Sequence, residues 1–301
     1  MNSKNMVDER FECISVIFRL AGSVNYDALE SDYQKEVAEK FAKFSEHSAV
    51  KMIKSFQDFS NFGIWVGYHC TLQFVTHLEE EKKDGKFVFI EDISSMFNEG
   101  NWNETAAKNF LELFNDFYVD TDYAEFYKSK IPYFEEVTKK FIDETYSKID
   151  FEWFGKYVDP SHLRCIYSLS SGNYAATVND KIVYSLVFND GSAIIHEFCH
   201  SLADKLADKW YNENQEFKKW CDDSVDNEKM PYYGSGIMMA HEYVTRAYNI
   251  LYFCQSNGTF FENGVSYKIS LVTPFLVISD FKNGFPYIGD VYAMVLKLEN
   301  K

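Results

Sequence analysis

Apolar residues in the first half of the chain recur at helical spacing. Asp8 is suited to cap the first such helix and Gly22 to end it. Further stripes of the same period predict helices across residues 33–44, 49–59, 63–79 and 110–117, and one more, after Pro132, across residues 134–142. We interpret these stripes as the buried faces of packed helices, so residues 1–158 are predicted to form a helical N-terminal region.

The pattern changes near Asp159-Pro160, where short β-prone runs begin. A short strand is already predicted earlier, at Phe87 to Ile90. After residue 159, strands are predicted over residues 163–169, 174–178 and 182–188, and a turn at 179–181 makes the last two a hairpin.

Two helices follow these strands. One is expected to open at Asp190-Gly191-Ser192 and run to about Lys209, and the other spans about Gly236 to Cys254. Glycine and proline interrupt the apolar runs of the tail. The predicted fold class is therefore α+β and mostly helical, with residues 159–301 forming a second region or the remainder of one continuous domain.

Charge and composition narrow the partners. The chain has 301 residues and a formal net charge of −16, so polyanions such as nucleic acid are expected to be repelled, and anionic membrane surfaces are disfavoured. No run approaches the roughly 20 apolar residues that a membrane span requires. Aromatic residues make up 18% of the chain, which we interpret as a compositional bias rather than as an aromatic substrate surface.

The cysteines indicate a reducing compartment. They are scattered and form no C-x-x-C pair: Cys13, Cys70, Cys165, Cys199, Cys221 and Cys254. A chain of this size folds without disulfides, so reduced thiols are expected. Since the N-terminus also lacks an apolar leader core, we predict a cytoplasmic protein. A secreted protein whose leader had been removed would have the same sequence features.

The clearest chemical signal is the run His196-Glu197-Phe198-Cys199-His200, which lies in an otherwise uncharged stretch of a predicted helix. Residues four positions apart face the same side of an α-helix, so both imidazoles can reach one ion at about 2.0–2.1 Å, the usual distance for zinc. Glu197 lies about 100° around the helix from His196, where it can take a proton from a water on that ion. Because such groups are costly to bury without a role, we expect a zinc-dependent hydrolase rather than a helix with incidental histidines.

A catalytic zinc usually has three protein ligands, so a third residue is needed. Asp204 is excluded, because it lies about 12 Å along a straight helix from His196. The metzincin pattern also fails, since Ala203 and Leu206 stand where that pattern has glycine and histidine.

Glu242, in the later predicted helix, is the favoured third ligand, and His241 is its nearest rival. Arg246 follows Glu242 by one helical turn. It either orients the ligand carboxylate or forms an ordinary exposed ion pair with it.

At this point the chain resembles the gluzincins, zinc peptidases with H-E-x-x-H on one helix and a glutamate ligand on a later one. More closely, it resembles an uncharacterised bacterial family of predicted metallopeptidases, through Val16 to Gly22, Ile194 to Ser201 and Glu242 to Ala247. The resemblance implies a zincin-like core with His196, His200 and Glu242 as zinc ligands and Glu197 as general base. It also implies that an edge strand, here about Ser170 to Thr177, pairs with an extended substrate. Arg246 departs from the thermolysin pattern, which has aspartate at that position.

The expected reaction is hydrolysis of a peptide bond in a peptide or protein substrate. The developing oxyanion also needs a hydrogen-bond donor. Proximity to Glu242 in sequence, or a tail that folds back, makes the candidates Tyr232, Tyr233, His241, Arg246, Tyr287 and Tyr292. The acidic stretch from Asp222 to Gly236 is interpreted as a connector rather than a lid. Two alternatives stay open: a metallohydrolase acting on a non-peptide bond, and a non-catalytic metal-binding or scaffold domain.

Overall fold

The computed structural model describes residues 6–27, 29–59, 68–97, 102–170, 173–178, 182–188, 193–226, 228–230, 233–256, 260–262, 265–267 and 272–300. Over these residues the chain is mostly helical, with a three-stranded and a two-stranded sheet, which confirms the mostly helical α+β class. None of the described helices is both long and apolar enough to cross a membrane. The six cysteines, which all lie among these residues, form no disulfide bond.

The chain forms two compact units, each built from two segments. One unit comprises Met1–Thr145 and Leu163–Ile194, and the other comprises Tyr146–His162 and Ile195–Lys301. The division expected from the sequence, residues 1–158 and 159–301, groups the strands with the motif helix. These units instead group the strands with the N-terminal helices.

The helices of the first unit carry the predicted apolar stripes on their buried faces. They are α1 (Glu9–Leu20), α2 (Asp32–Phe41), α3 (Ser48–Phe59), α4 (Tyr68–Thr76), α5 (Glu104–Asp120) and α6 (Tyr123–Glu144). Asp8 caps α1 as predicted, accepting hydrogen bonds from the amides of Arg10 and Phe11. Gly22 follows α1 at a φ of +83°, a conformation that favours glycine.

The start of α6 differs from the prediction. The helix begins at Tyr123 and contains Pro132, whereas the sequence pattern suggested a helix that follows this proline. Proline removes one backbone donor inside a helix. Burial of Phe126 and Phe134 on either side of it holds α6 against the core of the unit.

The predicted strand at Phe87 to Ile90 is wrong. Among the described residues, this segment makes one isolated bridge, between Phe89 and Leu78. The side chain of Asn115 forms hydrogen bonds with both backbone groups of Phe87. Its Oδ1 accepts from the amide nitrogen of Phe87 at 2.8 Å, and its Nδ2 donates to the carbonyl oxygen of Phe87 at 3.0 Å. Those backbone groups are therefore not available to a partner strand.

The sheet of the first unit contains β1 (Leu163–Ser168), β2 (Tyr174–Val178) and β3 (Ile182–Phe188) in the order β1-β3-β2. The strands β2 and β3 are antiparallel, with Val178 opposite Ile182, which confirms the predicted pairing, while the turn at 179–181 lies outside the described residues. The strand β1 runs parallel to β3, an arrangement that the sequence pattern does not indicate. The strand β2 occupies an edge of the sheet, and its pairing with a substrate stays a prediction.

The second unit contains the two helices on which the candidate chemistry depends. Its elements are α7 (Phe151–Phe154), α8 (Ile194–Glu213, in this unit from Ile195 onward), α9 (Gln215–Asp223), α10 (Gly236–Gln255), β4 (Phe260–Glu262), β5 (Val265–Tyr267), α11 (Val272–Lys282) and α12 (Ile288–Glu299). The motif helix and the later helix are confirmed as α8 and α10. The residues expected to open α8, at 190–192, lie outside the described part of the chain.

Aromatic side chains pack against the side of α8 that lies opposite its two histidines. The ring of Phe198 lies 5.7 Å from that of Phe154 and 6.3 Å from that of Phe151. Phe198 and Cys199 are both fully buried. This packing turns the face that carries His196 and His200 toward the neighbouring helix α10.

Four of the described helices of the second unit were not predicted from the sequence: the one-turn helix α7 and the longer helices α9, α11 and α12. The short helix α9 is capped by Asn214, whose side chain accepts from two backbone amides, and its buried residues Phe217 and Cys221 lie one turn apart. The tail forms α11 and α12 despite its glycines and prolines. Pro274 is the third residue of α11, where a backbone amide has no partner within the helix, so proline costs no hydrogen bond there.

Candidate metal centre

The side chains of His196, His200 and Glu242 meet within the second unit. The Nε2 atom of His196 lies 3.6 Å from Oε2 of Glu242, and Nε2 of His200 lies 3.5 Å from Oε1 of Glu242. One ligand atom from each residue lies within 4.8 Å of the other two. Ligand atoms around one tetrahedral zinc ion are about 3.3 Å apart, so these separations fit a common ion after small adjustments.

The helical framework explains this convergence. His196 and His200 lie one turn apart on α8, with ring centroids 5.1 Å apart and ring planes at 88°. Glu242 lies in the buried middle of α10. Its side chain is 11% exposed, and each histidine side chain is 18% exposed. The three groups are thus held by two packed helices and remain partly open to solvent.

One oxygen of this group has ion-pair contacts but no hydrogen bond. Oε2 of Glu242 is buried and accepts no hydrogen bond in the described part of the chain. A buried carboxylate oxygen without a hydrogen bond is costly. A divalent cation among the three side chains would satisfy it, and two imidazoles with one carboxylate are a donor set that suits zinc. These residues therefore fit the expected metal.

The charges of the three side chains support one another. Burial raises the pKa of Glu242, but the neighbouring His196 and His200 outweigh it and hold that pKa well below its usual range. Burial lowers the pKa of His200, but Asp204 and Glu242 raise it well above its ordinary value. Glu242 is therefore the anionic member of the set, as a metal-binding carboxylate must be.

Glu197 lies beside the same group on the first turns of α8. Its residue is 6% exposed. Burial raises the pKa of this carboxyl, and His196 and His200 partly oppose the effect. A carboxylate that binds protons more readily than usual, next to two imidazoles, suits a general base.

Two side chains contact Nδ1 of His200, while Nε2 of the same ring faces Glu242. Its Nδ1 lies 3.1 Å from Oδ1 of Asp204 and 3.2 Å from Oγ1 of Thr245. Metal-binding histidines commonly donate a hydrogen bond from their second ring N–H in this way, which fixes the orientation of the ring and its tautomer. Asp204 is correctly excluded as a ligand, but the sequence reading missed this contact.

Arg246 lies beside Glu242, as the sequence predicts, and joins a larger group. Its Nε is 3.3 Å from Oε2 of Glu242, and its Nη1 donates to Oδ1 of Asp280 at 2.8 Å. The guanidinium carbon lies 4.1 Å from the ring centroid of Phe285. Both of these partners come from the tail, on α11 and just after it.

Among the described residues, Tyr233 is the one proposed oxyanion donor, besides Arg246, that lies close enough to Glu242 for its pKa to respond to that charge. Burial is the main cause that raises the pKa of Tyr233 to about 12. The charge of Glu242 raises it further, and Arg246 opposes this effect. Glu197 is near enough to contribute as well. At neutral pH the hydroxyl therefore keeps its proton and can donate it in a hydrogen bond.

The other proposed donors have partners elsewhere. Nε2 of His241 lies 2.8 Å from Oδ1 of Asp208, and His241 is not part of the ligand set found among the described residues. The ring of Tyr287 stacks on Trp220 at 5.5 Å. The hydroxyl of Tyr292 lies 3.4 Å from the sulfur of Cys254, and Tyr232 lies outside the described residues.

Asp204, Thr245, Asp280 and Phe285 are the residues that sequence reasoning missed. Two of them had a local signal: Asp204 lies one turn after His200, and Thr245 lies one turn after Glu242. Asp280 and Phe285 had none, because only the folding of the tail brings them to Arg246.

The chain was compared with models of protein families, with curated proteins and with solved structures, and none of them matches it.

Proposed function

We propose that this protein is a zinc-dependent hydrolase that cleaves peptide bonds, with His196, His200 and Glu242 as the zinc ligands. The observation that carries the proposal is the convergence of these three side chains from two helices, with their ligand atoms within 4.8 Å of one another. Three protein ligands leave a coordination position open, which is the arrangement of catalytic rather than structural zinc sites.

Glu197 distinguishes the proposed site from a purely structural one. A metal that is only bound for stability needs no buried carboxylate beside its ligands. When bound, zinc supplies Lewis acidity toward a substrate carbonyl and lowers the pKa of a water molecule. The carboxylate of Glu197 takes the proton of the attacking water and then delivers it to the leaving amide nitrogen. Its raised pKa favours the first of these transfers, because a carboxylate that binds protons more readily is the stronger base.

The Tyr233 hydroxyl is the proposed donor to the developing oxyanion. It carries a proton at neutral pH and lies close enough to Glu242 and Glu197 for their charges to raise its pKa. A prepositioned donor of this kind typically contributes about 10²–10³ in rate. Arg246 is less suited to the task, because its charge is shared between Glu242 and Asp280.

The proposal of a peptide bond as the target rests on the motif, which resembles that of the gluzincins. A metallohydrolase of a different bond would use the same ligands and the same base. The substrate class is therefore tested together with the metal, by digesting a peptide library and by a parallel screen of small esters and amides.

Glu197→Gln tests the mechanism. We expect the purified wild-type protein to hold about one zinc ion per chain and to cleave members of the library. Because glutamine cannot take a proton, Glu197→Gln is expected to retain the metal but lose at least about 10²-fold in turnover. Zinc content by mass spectrometry and cleavage by liquid chromatography report the two effects separately.

Glu213→Gln is the matched control, since Glu213 is an exposed carboxylate on the same helix. It should leave both zinc content and turnover unchanged. Turnover that survives in Glu197→Gln, or in wild-type protein after chelation, would remove this chemistry from the protein. Zinc without cleavage of any substrate would leave a metal-binding domain.

A further inference from the structure

The side chain of Arg246 is held on several sides. It donates to Asp280 at 2.8 Å, and its guanidinium lies over the ring of Phe285. Its Nε is 3.3 Å from Oε2 of Glu242. Yet neither Nε nor Oε2 makes a hydrogen bond in the part of the chain that the structure describes. The guanidinium therefore forms a single ion pair with the carboxylate, without a hydrogen bond between these two atoms.

This arrangement is not what the two side chains would adopt by themselves. An arginine one helical turn after a glutamate can swing its planar guanidinium onto both carboxylate oxygens, which is the strongest geometry for such a pair. Those oxygens are the atoms that face Nε2 of His196 and Nε2 of His200. A forked ion pair would therefore occupy the lone pairs that a metal ion needs.

The charge of Asp280 has a second consequence. Glu242 and Arg246 alone sum to no net charge, and a neutral pair attracts a cation weakly. With Asp280 the three side chains carry a net negative charge. The side chains of Arg246 and Asp280 are only 21% and 16% exposed, so solvent screens this charge incompletely.

We propose that Asp280 is a positioning residue for the metal ligand: by holding Arg246, it prevents a forked ion pair with Glu242, so that Oε2 can bind the ion. This inference rests on the proposed metal site. It assigns the tail helix α11 a part in that site, and it explains why arginine can occupy a position next to a ligand carboxylate.

The experiment is a measurement of zinc affinity, by competition with a chromogenic chelator, on the full chain. Asp280→Asn should weaken zinc binding about 10- to 100-fold, the usual effect of losing a residue that supports a ligand. Asp280→Ser, made in parallel, removes the carboxylate by a different side chain, so a folding defect of one variant leaves the other to be measured. Asp280→Glu should stay within about threefold of the wild type.

A double substitution separates positioning from a merely structural effect. If the released guanidinium is what blocks Oε2, adding Arg246→Gln to Asp280→Asn should restore part of the lost zinc affinity. A structural role predicts that the double variant is as weak as Asp280→Asn or weaker. Asp290→Asn, an exposed carboxylate at the start of α12, is the control and should not change the affinity.

Several outcomes would overturn the inference. Wild-type affinity in both Asp280→Asn and Asp280→Ser would remove Asp280 from the site, and a double variant no tighter than Asp280→Asn would remove the proposed blocking by Arg246. Zinc binding by the wild type without peptide cleavage would end the proposed function but leave this inference standing. A wild type that binds no zinc would end both.

Discussion

The ring nitrogen Nδ1 of His200 lies 3.1 Å from Oδ1 of Asp204, one turn further along the same helix. This contact leaves Nε2 as the atom that faces Glu242. Asp204 is too far along the helix from His196 to bind the same ion. Through His200, however, Asp204 would still affect an ion bound at this site.

Removing the carboxylate of Asp204 should therefore weaken the metal site. We expect Asp204→Ala to reduce zinc affinity about 10- to 100-fold, because the ring of His200 loses the partner that fixes its tautomer. Thr245 still contacts the same nitrogen, so binding should be weakened rather than abolished. Chelator competition measures the effect.

Asp208 provides the control for Asp204. It lies one turn further along α8 and also contacts a histidine, His241, which is not part of the metal group. Asp208→Ala should keep wild-type zinc affinity. Equal losses in the two variants would mean that α8 responds to any lost carboxylate, and Asp204 would have no special part.

Zinc should stabilise the folded protein. A ligand that binds only the native state adds about 2.7 kcal/mol to the free energy of unfolding when its free concentration is about 100 times its Kd. We expect zinc to raise the melting temperature of the wild type and chelation to lower it again. Glu242→Gln should show little of this shift, because it loses the anionic ligand.

Differential scanning calorimetry with and without zinc measures that shift. Glu216→Gln, an exposed change at the start of α9, is the control and should respond to zinc as the wild type does. A shift of equal size in Glu242→Gln would mean that zinc binds elsewhere.

Gly236 begins α10 at a close approach that a side chain would obstruct. A Cβ at this position would lie 1.8 Å from Oδ1 of Asp222 and 2.7 Å from the hydroxyl of Tyr211. Gly236→Ala must therefore displace Asp222 and disturb its 2.7 Å hydrogen bond with Tyr211. We expect a loss of about 1–3 kcal/mol in the free energy of unfolding, measured by urea denaturation.

Gly289 serves as the matched position, because it also lies in the first turn of a helix, α12. A Cβ there would meet its nearest neighbour, Cγ1 of Val277, at an ordinary 3.8 Å. Gly289→Ala should be neutral or stabilise by up to about 1 kcal/mol. A Gly236→Ala variant as stable as Gly289→Ala would contradict the steric account.

Glu12, in the first unit, should make stability depend on pH. Its carboxylate is buried and accepts from the amide of Leu169 at 3.0 Å and from the hydroxyl of Tyr33 at 2.9 Å. Burial raises its pKa, an effect that these bonds and the charge of Arg19 only partly offset. The folded state thus holds this proton more tightly than the unfolded state does.

The sign of the effect follows from that difference. A raised pKa contributes stability that is complete below the unfolded value and is lost as the pH rises through the folded value. The glutamine side chain of Glu12→Gln is neutral at every pH, so the stability of this variant should lack the pH dependence that Glu12 causes. As the pH rises above about 4, the ordinary pKa of a glutamate, the free energy of unfolding of the wild type should therefore fall relative to that of Glu12→Gln.

Urea denaturation at several pH values checks this prediction. Glu39→Gln, which changes an exposed carboxylate on α2, should follow the wild type throughout. A constant difference between the wild type and Glu12→Gln across the range would mean that Glu12 titrates in the folded state as it does in the unfolded chain.

The chain's own pattern was sufficient for features that depend on neighbours in sequence. The cap at Asp8, the buried stripes of the helices and the pairing of β2 with β3 follow from local spacing. So does the motif itself, since the helix brings His196 and His200 onto one face whatever surrounds it. Local spacing also made Glu242 a ligand candidate, because the apolar period around it predicts a helix that contains this residue.

Only the tertiary structure decided which distant side chains meet. The parallel pairing of β1 with β3 joins strands separated by β2, and no local period encodes it. The same holds for Asp280, which reaches Arg246 only because the tail folds into α11 beside α10. Such contacts depend on packing between elements, a sum of many weak long-range terms, whereas a helical face depends on the geometry of a single backbone.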